Sequence, residues 1–156
     1  MTNQPAVLFV CLGNICRSPL AEAAFRKAAQ DVGLKIDIDS AGTGDWHVGK
    51  PPDRRAQAVA RSHGIDISHL RARQIEPADY TRFSHIFALD HQNLADIEAR
   101  TPAGATAQIS LLLDWVPGRE GMAVNDPYFG GEDHFAESWA DVSAAAAALV
   151  KRFSGD

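Results

Sequence analysis

The stretch from Val7 to Ser18 constrains the fold more than any other, and it reads Val-Leu-Phe-Val-Cys-Leu-Gly-Asn-Ile-Cys-Arg-Ser. An apolar run of β-formers, Val7 to Val10, ends at Cys11. Gly13 and Asn14 then break the pattern, and Ser18-Pro19 opens a helical one. The segment is therefore a strand, a short loop and a helix, the repeating unit of a parallel sheet. Such a loop aims backbone N–H groups at one spot, and the helix dipole adds positive potential there, so the spot favours an anion. Gly13 permits close backbone approach, and Asn14 tolerates positive φ. Ser18 is expected at the N-cap and Pro19 at the first helical position, without a capping box, because Ala21 stands where Glu or Gln would. The same field favours the thiolate form of Cys11. Arg17 can grip two oxygens of a tetrahedral anion with its planar fork. The Cys-x5-Arg spacing alone is weak evidence; its place between a strand and a helix gives it weight.

The rest of the chain continues the alternation. Periodicity predicts a helix over Pro19 to Val32, with Ala21, Phe25, Ala28, Ala29 and Val32 on one face and Gly33 as its stop. It predicts a half-buried strand over Lys35 to Ser40 and a glycine- and proline-rich loop over Ala41 to Pro52. A helix capped by Asp53 follows, running to His63. Glu76 to Phe83 reads as a short helix, Ser84 to Leu89 as a strand and His91 to Arg100 as a helix. Ala107 to Leu113 reads as the last strand. Asp114 to Gly131 is a loop whose length argues for function. Asp133 to Phe153 reads as a closing helix, with Phe135, Trp139, Val142, Ala146, Leu149, Val150 and Phe153 as its buried stripe. The expected class is α/β: a three-layer arrangement of four parallel strands with helices on both faces.

Composition bounds the function. At 156 residues and 46% hydrophobic, the chain suits a single domain over 1–156 with a full core. Its net charge of −5, without a basic cluster, argues against nucleic acid or an anionic membrane as partner. The apolar stretch Ala6 to Leu12 is too short for a membrane span and lacks the preceding Lys or Arg of a signal peptide. Two cysteines make no disulfide framework, so a reducing cytoplasm is the expected location. The six histidines form no zinc-ligand pattern with them, and no metal or other cofactor is expected.

The loop Val10-Cys11-Leu12-Gly13-Asn14-Ile15-Cys16-Arg17-Ser18-Pro19 closely resembles the phosphate loop of the low-molecular-weight protein tyrosine phosphatases. Asp126-Pro127-Tyr128 resembles that family's general-acid loop, and Ser40-Ala41-Gly42-Thr43 with Trp46-His47-Val48-Gly49 resembles its variable-loop region. Ala72-Arg73-Gln74-Ile75 is also similar, and the matches run in family order along nearly the whole chain.

The resemblance implies strand order 2-1-3-4, with the site at the carboxyl end of strand 1, where ligands bind in such sheets. It implies Cys11 as nucleophile, Arg17 as oxyanion clamp and Asp126 as general acid and base. By position alone Asp90 and Asp114 compete with Asp126 for the last role. The segment Leu12, Gly13, Asn14, Ile15, Cys16 and Ser18 would bind the phosphoryl group. Trp46 and Tyr128, otherwise lids over small core clusters, become walls for an aryl ring. Where the family often has a second tyrosine, this chain has Phe129. Ser18, Ser40 and His69 would hold Asn14 and the thiolate by hydrogen bonds. Cys16, five residues after Cys11 in the same loop, is either a small packed hydrophobe or a resolving thiol that captures oxidised Cys11 as a disulfide.

The expected reaction is hydrolysis of phosphotyrosine in proteins, and of small aryl phosphates, through a phosphocysteine. Partners would be phosphotyrosine-containing proteins, a tyrosine kinase among them, and the protein would be a monomer or weak dimer. A thiol-dependent arsenate reductase shares fold and loop but relays electrons through downstream cysteines, and this chain has none after Cys16. A non-catalytic phosphotyrosine-binding module would be expected to lack the nucleophile or the acid.

Overall fold

The computed structural model describes residues 5–155. Strand β1 (Ala6–Cys11) is buried along its whole length, because both of its faces are covered. Val7, Phe9 and Cys11 enter one core, while Ala6, Leu8 and Val10 enter the other, the period of two that a strand imposes. The first core is shared with α1 (Arg17–Asp31), α2 (Arg54–Ser62) and α5 (Glu132–Phe153). The second lies under α3 (Asp79–Arg82) and α4 (His91–Ala99). The other strands are β2 (Asp37–Gly42), β3 (His85–Ala88) and β4 (Gln108–Leu111). All pairings are parallel and the order is β2-β1-β3-β4, the expected three-layer arrangement.

β1 thus has β2 on one side and β3 on the other. The chain diverges at its carboxyl end and opens a crevice there. Phe9 fixes the sheet against α1 through Phe25, whose ring packs edge-on at 5.9 Å between centroids. Phe135, Trp139, Val142, Leu149 and Val150 of α5 are buried as the stripe predicts, whereas Phe153 is only partly buried.

Several boundaries differ from expectation for identifiable reasons. Helix α1 starts at Arg17, with Cys16 at the cap position and no side-chain cap bond. Ser18 does not cap it, because its hydroxyl is engaged by the loop that precedes the helix. The helix ends at Asp31, leaving Val32 exposed rather than on the buried face. β2 lies two residues later than the alternation suggests, since its register with β1 runs from Ala6↔Asp37 to Cys11↔Gly42. β4 stops at Leu111; Leu112 and Leu113 enter the α1–α5 core from a 3₁₀ turn, Leu112–Trp115. Asp53 caps α2 as expected, its carboxylate accepting from the Arg55 N–H at 2.8 Å.

Candidate active site

The crevice is built first by the turn after β1. Asn14 has φ 57°, the left-handed region that Asn tolerates, and this turns the loop back over the strand end. Gly42 at the end of β2 is required by the same crowding, since a Cβ there would stand 2.7 Å from the Leu12 carbonyl oxygen. The Asn14 N–H consequently donates to Cys11 Sγ at 3.3 Å. Cys11, only 3% exposed, also has Ser18 Oγ at 3.0 Å from its sulfur.

A chain of hydrogen bonds braces this turn from behind. Asn14 Nδ2 donates to Ser18 Oγ at 2.8 Å and to Ser40 Oγ at 3.0 Å. Its Oδ1 accepts from the Arg73 N–H at 3.0 Å. Ser40 in turn donates to Glu22 Oε1 at 2.7 Å, and the buried Glu22 is paired with Arg26 at 3.0 Å. Arg73 is itself locked by Asp79 and Asp39 at 3.0 and 3.1 Å. Every polar atom of the Asn14 side chain is therefore committed, which favours one loop conformation.

His69 does not join this network. It is exposed, and among the described residues it hydrogen-bonds to neither Asn14 nor Ser40. The bonds to Asn14 expected of it are made instead by the hydroxyls of Ser18 and Ser40 and the backbone N–H of Arg73, with Glu22 on α1 holding Ser40. His69 lines a small cavity behind the loop, beside Asn14, Ser40 and Glu22.

Arg17 opens α1 and is 3% exposed. Its Nη1 donates to Asp90 Oδ2 at 2.7 Å and to the Val124 carbonyl at 2.9 Å, while Nη2 faces Asp126 Oδ2 at 3.8 Å. Burial opposes the guanidinium charge, but the Cys11 sulfur, Asp90 and Asp126 more than offset it and hold the group cationic. Asp90 is not free for proton transfer in this arrangement. Its Oδ2 holds Arg17, and its Oδ1 caps α4 by accepting from the Asn93 N–H at 2.7 Å.

The loop after the 3₁₀ turn brings Asp126 to the opposite rim. Its side chain is 44% exposed, and its Oδ1 accepts from the Tyr128 N–H at 3.0 Å. Together these groups surround a cleft of about 210 Å³. Cys11, Leu12, Gly13, Ile15, Cys16 and Arg17 form its floor; Trp46, His47, Asp126, Tyr128 and Phe129 form its walls. Trp46 is 67% and Phe129 95% exposed, so the walls are apolar surfaces open to solvent. Asp114 is not among the lining residues; its Oδ1 accepts from the Gly121 N–H at 2.8 Å.

Cys16 is buried beside Cys11, and both are free thiols. Burial first, then the negative charge of Asp53, Cys11 and Asp126, pushes the Cys16 thiol well up, so it stays protonated near neutral pH. Among the described residues, no group of three or more His, Cys, Asp or Glu could hold a metal ion, and no helix is long and apolar enough to cross a membrane.

Known proteins share this chain's sequence and shape. The family described as "Low molecular weight phosphotyrosine protein phosphatase" matches residues 6–156. The Schizosaccharomyces pombe protein of that name is 44% identical over 142 residues, covering 89% of this chain and 90% of the relative. The structure of YfkJ from Bacillus subtilis superposes with a TM-score of 0.90 at 38% identity, covering 98% of this chain and 96% of that one. A protein tyrosine phosphatase from Entamoeba histolytica, with Hepes in its active site, gives a TM-score of 0.90 at 35% identity over 97% of both chains. By these matches the chain belongs to the low molecular weight phosphotyrosine protein phosphatases, a family of hydrolases.

Proposed function

We propose that the protein, acting as one phosphatase domain, hydrolyses phosphotyrosine in proteins, and small aryl phosphates, through a phosphocysteine. The observation that carries this reading is the meeting of Cys11, Arg17 and Asp126 in one cleft walled by Trp46 and Tyr128. The Cys11 thiolate attacks phosphorus, the bond from phosphorus to the phenolic oxygen breaks, and Asp126 gives its proton to the departing oxygen. Asp126, now a carboxylate, takes a proton from water. That water attacks the phosphocysteine, the P–S bond breaks, and inorganic phosphate and the thiolate are released.

The equatorial oxygens are held throughout by the Arg17 fork and by backbone N–H groups between Leu12 and Ser18. Asp90 and the Val124 carbonyl position Arg17, so the fork is set before substrate arrives. The Asn14 N–H donates to the sulfur at 3.3 Å and the Ser18 hydroxyl lies 3.0 Å from it, which fixes the nucleophile at the floor of the cleft. Attack requires a free thiol at Cys11, which supports a reducing setting such as the cytoplasm. Phosphotyrosine-bearing proteins are the partners, and a tyrosine kinase is one candidate.

The specificity rests on the walls. A phosphotyrosine ring offers Trp46 and Tyr128 a face to stack on, whereas phosphoserine is shorter and has no ring. Stacking is worth about 0.5–1.5 kcal/mol, so Trp46→Ala should raise KM for aryl phosphates about twofold to twelvefold. It should leave KM for small alkyl phosphates nearly unchanged. Steady-state kinetics on phosphotyrosine and phosphoserine peptides and on both simple ester classes test this. Equal effects of Trp46→Ala on aryl and alkyl esters would make Trp46 a structural residue.

A further inference from the structure

Arg55 joins the two loops whose meeting makes the cleft. It lies in the first turn of α2, next to Asp53, and Asp53 is anchored to the loop after β1, its N–H donating to the Ile15 carbonyl at 2.8 Å. The Asp53 carboxylate grips Arg55 in a fork, with Nε at 3.0 Å from Oδ1 and Nη2 at 3.1 Å from Oδ2. The remaining donors reach across to the loop that carries Asp126. Nη2 donates to the Tyr128 carbonyl at 2.9 Å and Nη1 to the Gly130 carbonyl at 3.0 Å. The guanidinium plane also stands over two rings, its Cζ 4.6 Å from the Phe135 centroid and 5.6 Å from that of Tyr128.

This arrangement falls where the loop is otherwise least secured. Upstream of Asp126 the chain is pinned at Val124, whose N–H donates to the Leu89 carbonyl at 2.8 Å and whose carbonyl accepts from Arg17 at 2.9 Å. Downstream, among the described residues, the side-chain bonds that reach 127–131 from outside the loop come from Arg55. Asp126 lies between these two anchors, and its own Oδ1 accepts from the Tyr128 N–H, in the residue whose carbonyl Arg55 holds.

We infer that Arg55, set by Asp53, is a positioning residue that clasps the acid loop against the phosphate loop and so places Asp126 beside the leaving-group oxygen. The inference rests on the reading of Asp126 as general acid. The planar fork is needed because one group must meet two carboxylate oxygens and two carbonyls at fixed angles. A lysine ammonium offers a compact charge without that geometry.

The test compares kcat/KM for phenyl phosphate and p-nitrophenyl phosphate, with thermal melting curves, in wild type, Arg55→Ala, Arg55→Lys, Asp126→Asn and the Arg55→Ala/Asp126→Asn double variant. Arg55→Ala should lose about tenfold more on phenyl phosphate, the ester that needs the proton, than on p-nitrophenyl phosphate. Arg55→Lys should share most of that loss. In the Asp126→Asn background, Arg55→Ala should add no further difference between the two esters. Should Arg55→Ala fail to fold, Arg55→Lys carries the same comparison. An equal loss on both esters, or a difference that persists without Asp126, would overturn the clasp. Asp126→Asn without any leaving-group dependence would overturn the acid reading and the clasp with it. Leaving-group dependence in Asp126→Asn with none in Arg55→Ala or Arg55→Lys would overturn the clasp alone.

Discussion

Cys11→Ser should reduce turnover of p-nitrophenyl phosphate by about ten-thousandfold or more, while the variant still binds inorganic phosphate. A serine hydroxyl is un-ionised near neutral pH, and among the described residues the side chain hydrogen-bonded at this position is the hydroxyl of Ser18, a poor base. A ten-thousandfold loss is about 5.4 kcal/mol of transition-state stabilisation, at 1.36 kcal/mol per tenfold. Binding should survive because the anion's main partners do not depend on sulfur. Arg17 is fixed by Asp90 and the Val124 carbonyl, and Asn14 by Ser18, Ser40 and Arg73. Phosphate affinity, read by calorimetry or phosphorus NMR, should stay within about threefold of wild type. Residual turnover above one part in about a hundred by the purified variant would remove Cys11 from the nucleophile's role.

Asp126→Asn should lower kcat/KM most for esters whose leaving groups hold charge poorly. General acid catalysis contributes about a hundredfold to ten-thousandfold, and phenyl phosphate should feel nearly all of it, p-nitrophenyl phosphate far less. The substitution is a clean probe. The amide keeps an oxygen that can accept from the Tyr128 N–H, so the loop keeps its shape while the transferable proton disappears. The commitment of both Asp90 oxygens, and the position of Asp114 away from the cleft, support Asp126 over its two rivals. Equal losses on the two esters would send the acid role elsewhere.

The fold was readable in the sequence because its framework is local. β1, the following loop and the start of α1 are contiguous, and burial of β1 on both faces requires helices on both sides. The sheet order came from the family resemblance rather than from periodicity. The expected residues Cys11, Arg17, Trp46, Asp126 and Tyr128 do line one cleft. What braces them was not legible. Arg73 reaches Asn14 through its backbone N–H, 59 residues away in sequence, and a backbone donor leaves no mark on residue type. Glu22, a charged residue among Ala21, Ala23, Ala24 and Phe25, is buried and accepts from Ser40, a role that residue type alone does not distinguish from that of any helical carboxylate. Asp90 was weighed as an acid, but its place at the end of β3 puts it against Arg17. Ser18 fitted the rule for helix caps, yet its hydroxyl is held by Cys11 and Asn14, since tertiary partners outcompete a local preference.

The covalent step at Cys11 is open to a rapid-quench experiment. Asp126→Asn turning over p-nitrophenyl phosphate keeps an ester whose departure needs the proton least, while losing the carboxylate that activates water. The intermediate should therefore accumulate. Denaturing quench within milliseconds, followed by peptide mass spectrometry, should find a phosphoryl group on the peptide carrying Cys11, at that sulfur. It should approach one per chain, appear as fast as the burst of p-nitrophenol and be absent from Cys11→Ser. A full burst with unmodified Cys11 at every time point, or phosphorus carried by another residue, would contradict the account.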